Sequence, residues 1–136
     1  MRAVVDTNVV AYFLLGTEGF VAEAGRFWRC VKEPIAPALW EAELANVVWM
    51  AVRAKVLPAA DAPKRLSLAA GLGIESVPSR SLWHGALAKA ISSGVAVYDT
   101  LFVELAVREN ALLATFDAKL LKAFPHIARR PSALSG

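Results

Sequence analysis

Short apolar runs alternate with amphipathic segments from one end of the chain to the other, and no other feature restricts the possible fold as strongly. Residues 2–5 read as a buried strand, and "TNVVAYFLL" then begins a helix for which Asp6 or Thr7 is the cap. Through "GFVAEAGRFWRCVK", Phe20, Ala24, Phe27, Trp28 and Val31 recur at helical spacing, and Pro34 is expected to end that helix before a short "IAP" strand. "ALWEAELANVVWMAVRAK" carries a core stripe of Trp40, Leu44, Val47, Val48 and Ala51. Pro58 opens a further helical segment that stops near Gly71 or Gly73, "IESV" is a strand, and "SRSLWHGALAKAISS" is a helix ending at Gly94. "VAVYDTLFVELAVREN" passes from an extended piece into a helix, "ALLAT" is a buried strand, and "FDAKLLKAF" is a short helix. This order implies an α/β fold: a three-layer sandwich with a mostly parallel central sheet flanked by helices.

A chain of 136 residues suits one domain, expected over residues 1–128, with 129–136 an exposed or disordered tail. Although 57% of the residues are hydrophobic, the longest unbroken apolar runs, such as Val9 to Leu15, fall far short of the roughly 20 residues that span a bilayer. No membrane association is expected. The start of the chain lacks the pattern of a secretory signal, and the single cysteine, Cys30, has no intramolecular disulfide partner. A reducing cytoplasm is therefore the expected location. The formal charge of +3 permits a polyanionic partner without requiring one.

Within that frame the acids stand out. Asp6 follows the apolar "AVV", Asp99 follows "VAV", and Asp117 follows "ALLAT" by two residues, so all three read as strand-to-helix junctions. In a parallel sheet such junctions lie together at the carboxyl edge, where open α/β folds place their ligand sites. Each Asp taken alone is a good helix cap favoured by the helix dipole. Three at equivalent junctions point to a shared cleft, and crowded carboxylates raise one another's pKa unless a cation neutralises them. Oxygen ligands suit a hard ion, Mg²⁺ or Mn²⁺, and such ions support phosphodiester hydrolysis.

Other chemistries lack their residues. His84 and His126 are far apart and form no zinc pattern, and Cys30 sits on an apolar-patterned helix where a small core residue is expected. No Gly-rich phosphate loop, G-x-S-x-G elbow or Cys/His pair is present. The tryptophans, Trp28, Trp40, Trp49 and Trp83, fall at helical positions that favour core or interface packing over base stacking. Periodicity leaves open which glutamate of "LWEAELAN" joins the acids. At about 100° per residue Glu41 and Glu43 point about 160° apart, and Glu43 has Asn46 one turn on as a polar neighbour.

Together "VVDTNVVAYFL", "APALWEAELANVV", "VYDTLFVELA" and "LLATFDAKL" resemble the PIN-domain family, in particular the VapC-type ribonuclease toxins, over nearly the whole chain. D-T-N at the start, E-x-x-N in the third helix, Y-D before a helix and T-x-D after the last core strand form the matching set, in that order. The resemblance implies a metal-dependent endoribonuclease whose catalytic and metal-binding acids are Asp6, Glu43, Asp99 and Asp117. Thr7, Asn8, Asn46 and Thr115 would be the supporting polar residues. It also implies one or two Mg²⁺ or Mn²⁺ ions, an RNA substrate, a homodimer and a cognate antitoxin. Some members carry a further acid shortly after the position of Asp117, whereas this chain has Lys119, so one-ion and two-ion sites are both compatible. The alternatives are an RNA-processing nuclease outside toxin–antitoxin systems and a nonenzymatic PIN-like module that binds RNA or protein.

Overall fold

The computed structural model describes residues 1–134. Five strands, β1 (Arg2–Val5), β2 (Glu33–Pro37), β3 (Glu75–Val77), β4 (Leu112–Ala114) and β5 (Ala128–Arg129), pair in parallel in the order β3-β2-β1-β4-β5. Seven helices surround them among the described residues: α1 (Thr7–Leu15), α2 (Val21–Cys30), α3 (Leu39–Arg53), α4 (Ala62–Ala70), α5 (Trp83–Ser93), α6 (Val97–Arg108) and α7 (Ala118–Ala123). The three-layer α/β arrangement expected from the alternation is the one observed.

The inner strands are apolar along their length because both faces of a parallel sheet are covered. Ala3, Val4, Val5, Ile35, Ala36, Leu113 and Ala114 are all buried, and Phe27 and Phe102 pack in the core from the helices. Each such large side chain contributes on the order of 1.5–3 kcal/mol. No single described helix is long and apolar enough to cross a membrane.

Several local expectations change. Helix α2 ends at Cys30, and Pro34 lies inside β2 opposite Ala3 rather than stopping the helix. The register with β3 begins only at Ile35, so the missing N–H of Pro34 forfeits no ladder bond on that side. Cys30, expected in the core, is exposed, since the inward stripe of Ala24 and Phe27 runs out at the helix end. No strand precedes α6 among the described residues; Gly94, left-handed at φ 77°, closes α5, and three residues lead straight into the next helix.

Of the segment read as a tail, residues 129–134 are described and are tied to α2. After β5, Arg130 donates to both carboxylate oxygens of Glu23 and the Ser132 N–H donates to Glu23 Oε2. Those bonds draw the Glu23 carboxyl down to about 2, first through Arg130, and Pro131 is buried beyond them. The remaining residues of the expected tail, 135–136, lie outside the described ones.

The packing of α5 on α6 turns on one glycine. Thr100 Oγ1 donates to the Ala86 carbonyl at 2.7 Å, and the buried Glu104 carboxylate accepts from Lys89 and Arg108, each at 2.6 Å. Burial pushes Glu104 up, but the two cations outweigh it and leave its pKa lowered. A Cβ on Gly85 would overlap that carboxylate. Gly85→Ala is therefore expected to push the Glu104 carboxylate away from Lys89 and Arg108, and because that carboxylate is the far end of a flexible side chain and alanine favours the helix, the net cost is about 1 kcal/mol and a few degrees in Tm. Thermal unfolding checks this, and an unchanged Tm would refute the role given to the bridge.

Candidate active site

The strand order makes β1 and β4 neighbours, so their carboxyl ends bring Asp6 beside Thr115 at the point where the chain leaves the sheet in two directions. The Asp6 N–H donates to the Ala114 carbonyl at 3.0 Å, which fixes the turn into α1. Its carboxylate then accepts from Thr7 N at 2.8 Å, Thr115 Oγ1 at 2.7 Å and Asn8 Nδ2 at 3.4 Å. Asp6 thus caps α1 through one oxygen and presents the other to a shared polar network.

That network ties the junctions together. Asn8 Oδ1 accepts from the Phe116 N–H, and Thr115 Oγ1 accepts from the Asp117 N–H. Asp117 in turn caps α7 by accepting from Lys119 N at 2.8 Å. Thr7 Oγ1 donates to Glu43 Oε1 at 2.7 Å, linking α1 to α3. Asp99 arrives from a third direction, in the first turn of α6, and not after a strand as the sequence indicated.

Asp6, Glu43, Asp99 and Asp117 line one cleft of about 340 Å³, with Thr7, Asn8, Tyr12 and Val47 completing its wall. Their electrostatics interlock. Burial pushes the Asp6 carboxyl up to about 7, with the charges of Asp99 and Glu43 adding to the rise. Burial also raises Glu43, helped by Asp99, and raises Asp99, helped by Asp117 and opposed by Lys119. Asp99 is therefore the group that links the other three, acting on Asp6 and Glu43 and being acted on by Asp117.

Glu41 points elsewhere: its carboxylate accepts from Ser76 Oγ, which also accepts from Trp40 Nε1. Asn46, expected to support Glu43, is exposed and donates to Met50 Sδ at 3.6 Å. Val47, one residue further along α3, takes the cleft position instead. Tyr12 was not singled out from the sequence, although it follows Asn8 by one helical turn on the face that meets the acids. Thr115 stands in the interior as the hydroxyl that bridges Asp6 and Asp117. His84 and His126 are exposed and outside the cleft.

Among the described residues, no three His, Cys, Asp and Glu side chains are grouped tightly enough as they stand to hold a metal ion. Both carboxylate oxygens of Asp6 and one oxygen each of Glu43 and Asp117 accept from protein donors, and like charges oppose closer approach. The donor chemistry nevertheless fits a hard divalent cation: every acidic ligand offers oxygen, and three carboxyls have pKa values raised by burial and mutual repulsion.

Against models of known families, residues 3–127 match the one described as PIN domain. No curated protein matches the chain.

Proposed function

Since the chain belongs to the PIN-domain family, whose members are commonly nucleases, we propose that it is a Mg²⁺- or Mn²⁺-dependent endoribonuclease and the toxin of a toxin–antitoxin pair. The observation that carries the reading is the convergence of Asp6, Glu43, Asp99 and Asp117 on one cleft at the carboxyl edge of the sheet. A site of four carboxylates repels a phosphodiester unless it is neutralised, so the same residues that make the cleft acidic would hold the divalent ion. When bound, that ion supplies positive charge against the developing oxyanion and acidifies water at neutral pH.

The chain's own groups set the geometry. Thr7 holds the Glu43 carboxylate through its hydroxyl, and Thr115 holds Asp6 while receiving the Asp117 N–H, so one hydroxyl fixes two acids in relation to each other. Asn8 ties Asp6 to the Phe116 backbone from the other side. Lys119 places a cation near Asp99 and offsets part of the charge that an incoming phosphate meets. A homodimer and an antitoxin partner belong to the same proposal and rest on the resemblance to the VapC-type toxins alone.

Purified protein incubated with end-labelled RNA is expected to cut it with Mn²⁺ or Mg²⁺ and to stop on addition of EDTA, with recovery when excess metal is restored. Cutting that persists in EDTA would sink the metal-dependent reading. Absence of cutting with either ion on any of a panel of structured and unstructured RNAs would sink the nuclease reading itself.

A further inference from the structure

Tyr12 stands in the wall of the acidic cleft, one helical turn along α1 from Asn8. Its ring stacks on Phe20, with centroids 4.5 Å apart and planes at 23°, and meets Phe116 at 5.4 Å. Phe20 and Phe116 in turn meet edge to face at 5.1 Å. Arg130, bonded to both carboxylate oxygens of Glu23, places its guanidinium over Phe116 at 4.8 Å. The backbone is fixed on both sides as well: the Thr17 N–H donates to the Tyr12 carbonyl, and the Phe116 N–H donates to Asn8 Oδ1. So held, the ring has little freedom to turn out of the wall.

Of these three rings, the one in the cleft wall is the one that carries a hydroxyl. Packing alone gains nothing from that group over phenylalanine, since a hydroxyl taken out of water without a partner costs about 1–3 kcal/mol. The Tyr12 hydroxyl bonds to no described residue, and the one buried side-chain polar atom left without a partner among them is Arg65 Nε, so the Tyr12 oxygen is open to solvent. The other side-chain donors of the wall are engaged: Thr7 Oγ1 donates to Glu43, and Asn8 Nδ2 is directed at Asp6. What remains of the polar lining is carboxylate, which when ionised only accepts. The oxygens of a phosphodiester only accept too. We propose that the Tyr12 hydroxyl binds the substrate by donating to a non-bridging oxygen of the phosphate that enters the acidic cleft. The inference rests on the nuclease reading above and deepens it by naming a residue that holds the substrate. A neutral donor suits the place, because a lysine or arginine there would compete with a divalent ion for the same carboxylates. The aromatic clamp adds to the effect, since a side chain already fixed by Phe20 and Phe116 loses little freedom on binding.

The test titrates the full chain, in Ca²⁺ buffer with strand integrity checked on a gel, against fluorescein-labelled RNAs, structured and unstructured. Calorimetric Mn²⁺ titration and thermal unfolding are run on the same preparations. Tyr12→Phe keeps the ring and its stacking on Phe20 and removes only the hydroxyl. It should bind RNA roughly 10-fold more weakly than wild type, with Mn²⁺ affinity and Tm unchanged. Tyr98→Phe removes the chain's other tyrosine hydroxyl, 67% exposed on a residue outside the cleft wall, and should change none of the three. If Tyr12→Phe binds RNA as wild type does, the contact is refuted while the nuclease reading stands. If its Mn²⁺ affinity or Tm falls together with its RNA affinity, the hydroxyl belongs to the scaffold of the cleft, and the contact is refuted on that ground. An equal loss in Tyr98→Phe would overturn it too, because the effect would not depend on the cleft. Wild type that binds none of the RNAs would bring down both the contact and the nuclease reading.

Discussion

Asp6→Asn is expected to abolish metal-dependent cleavage and, in the metal-free protein at neutral pH and above, to raise the melting temperature. Both effects come from one carboxylate. Asp6 is buried between Thr7, Asn8 and Thr115, and burial, then Asp99 and Glu43, lift its pKa to about 7. Its unfolded value is the ordinary 3.8. A carboxyl whose folded pKa lies above its unfolded one destabilises the fold when ionised. The penalty is absent below the unfolded value, grows as pH rises towards 7, and is complete above it. A rise of that size corresponds to at most about 4 kcal/mol.

The asparagine keeps an oxygen for the Thr7 N–H, and its amide can donate to the one lone pair of Thr115 Oγ1 that the Asp117 N–H leaves open, at the loss of the long Asn8 Nδ2 bond. The cap survives while the charge does not. Melting of the metal-free wild type should therefore fall between about pH 4 and pH 7 and level off above, whereas the variant should lose much of that slope. Mn²⁺ should raise the wild-type Tm by mass action and leave the variant nearly unmoved. Retained cleavage in Asp6→Asn, or a variant less stable than wild type at pH 8, would contradict the role assigned here.

The layers and most of the cleft could be read in advance because their causes are local. A strand buried on both faces must be apolar, so "AVV" and "ALLA" announce themselves, and a carboxylate directly after such a strand marks the sheet edge. Asp99 reached the cleft by a route that local pattern misreads. Three residues at 94–96 join α5 to α6, while β1 already has β2 and β4 as neighbours, and a short apolar piece looks the same in either setting. The contacts of the C-terminal segment were illegible for a different reason. Its polar composition is that of a tail, and what orders it is Glu23, which lies 107 residues before Arg130. Asn46 shows the limit of helical periodicity: it lies about 60° from Glu43 around the axis and Val47 about 40° to the other side. That difference alone puts one in solvent and the other in the cleft.

The same rotation of α3 separates its two glutamates, and the pair Glu43→Gln and Glu41→Gln turns that geometry into an experiment. Each substitution removes one negative charge from the same helix, so any long-range effect on RNA or metal attraction is shared. Position is what differs. Glu43 reaches the cleft, accepts from Thr7 Oγ1 and feels the charge of Asp99. Glu41 lies two residues earlier, on the side where Ser76 donates to its carboxylate and α4 forms the opposite wall of an apolar groove. Glutamine at 43 can still accept from Thr7 through its amide oxygen, so the side chain stays in place while its charge and one carboxylate donor are lost. Glu43→Gln is expected to weaken Mn²⁺ affinity about 10- to 100-fold and to lower cleavage at a fixed sub-saturating Mn²⁺ concentration by at least as much. Glu41→Gln should cleave like wild type and shift stability by no more than about 0.5 kcal/mol. Calorimetric Mn²⁺ titration and cleavage of one RNA across both variants read the two effects separately. Loss of metal affinity and cleavage in Glu41→Gln, with Glu43→Gln intact, would mean that the acids of the cleft are not the ones that work.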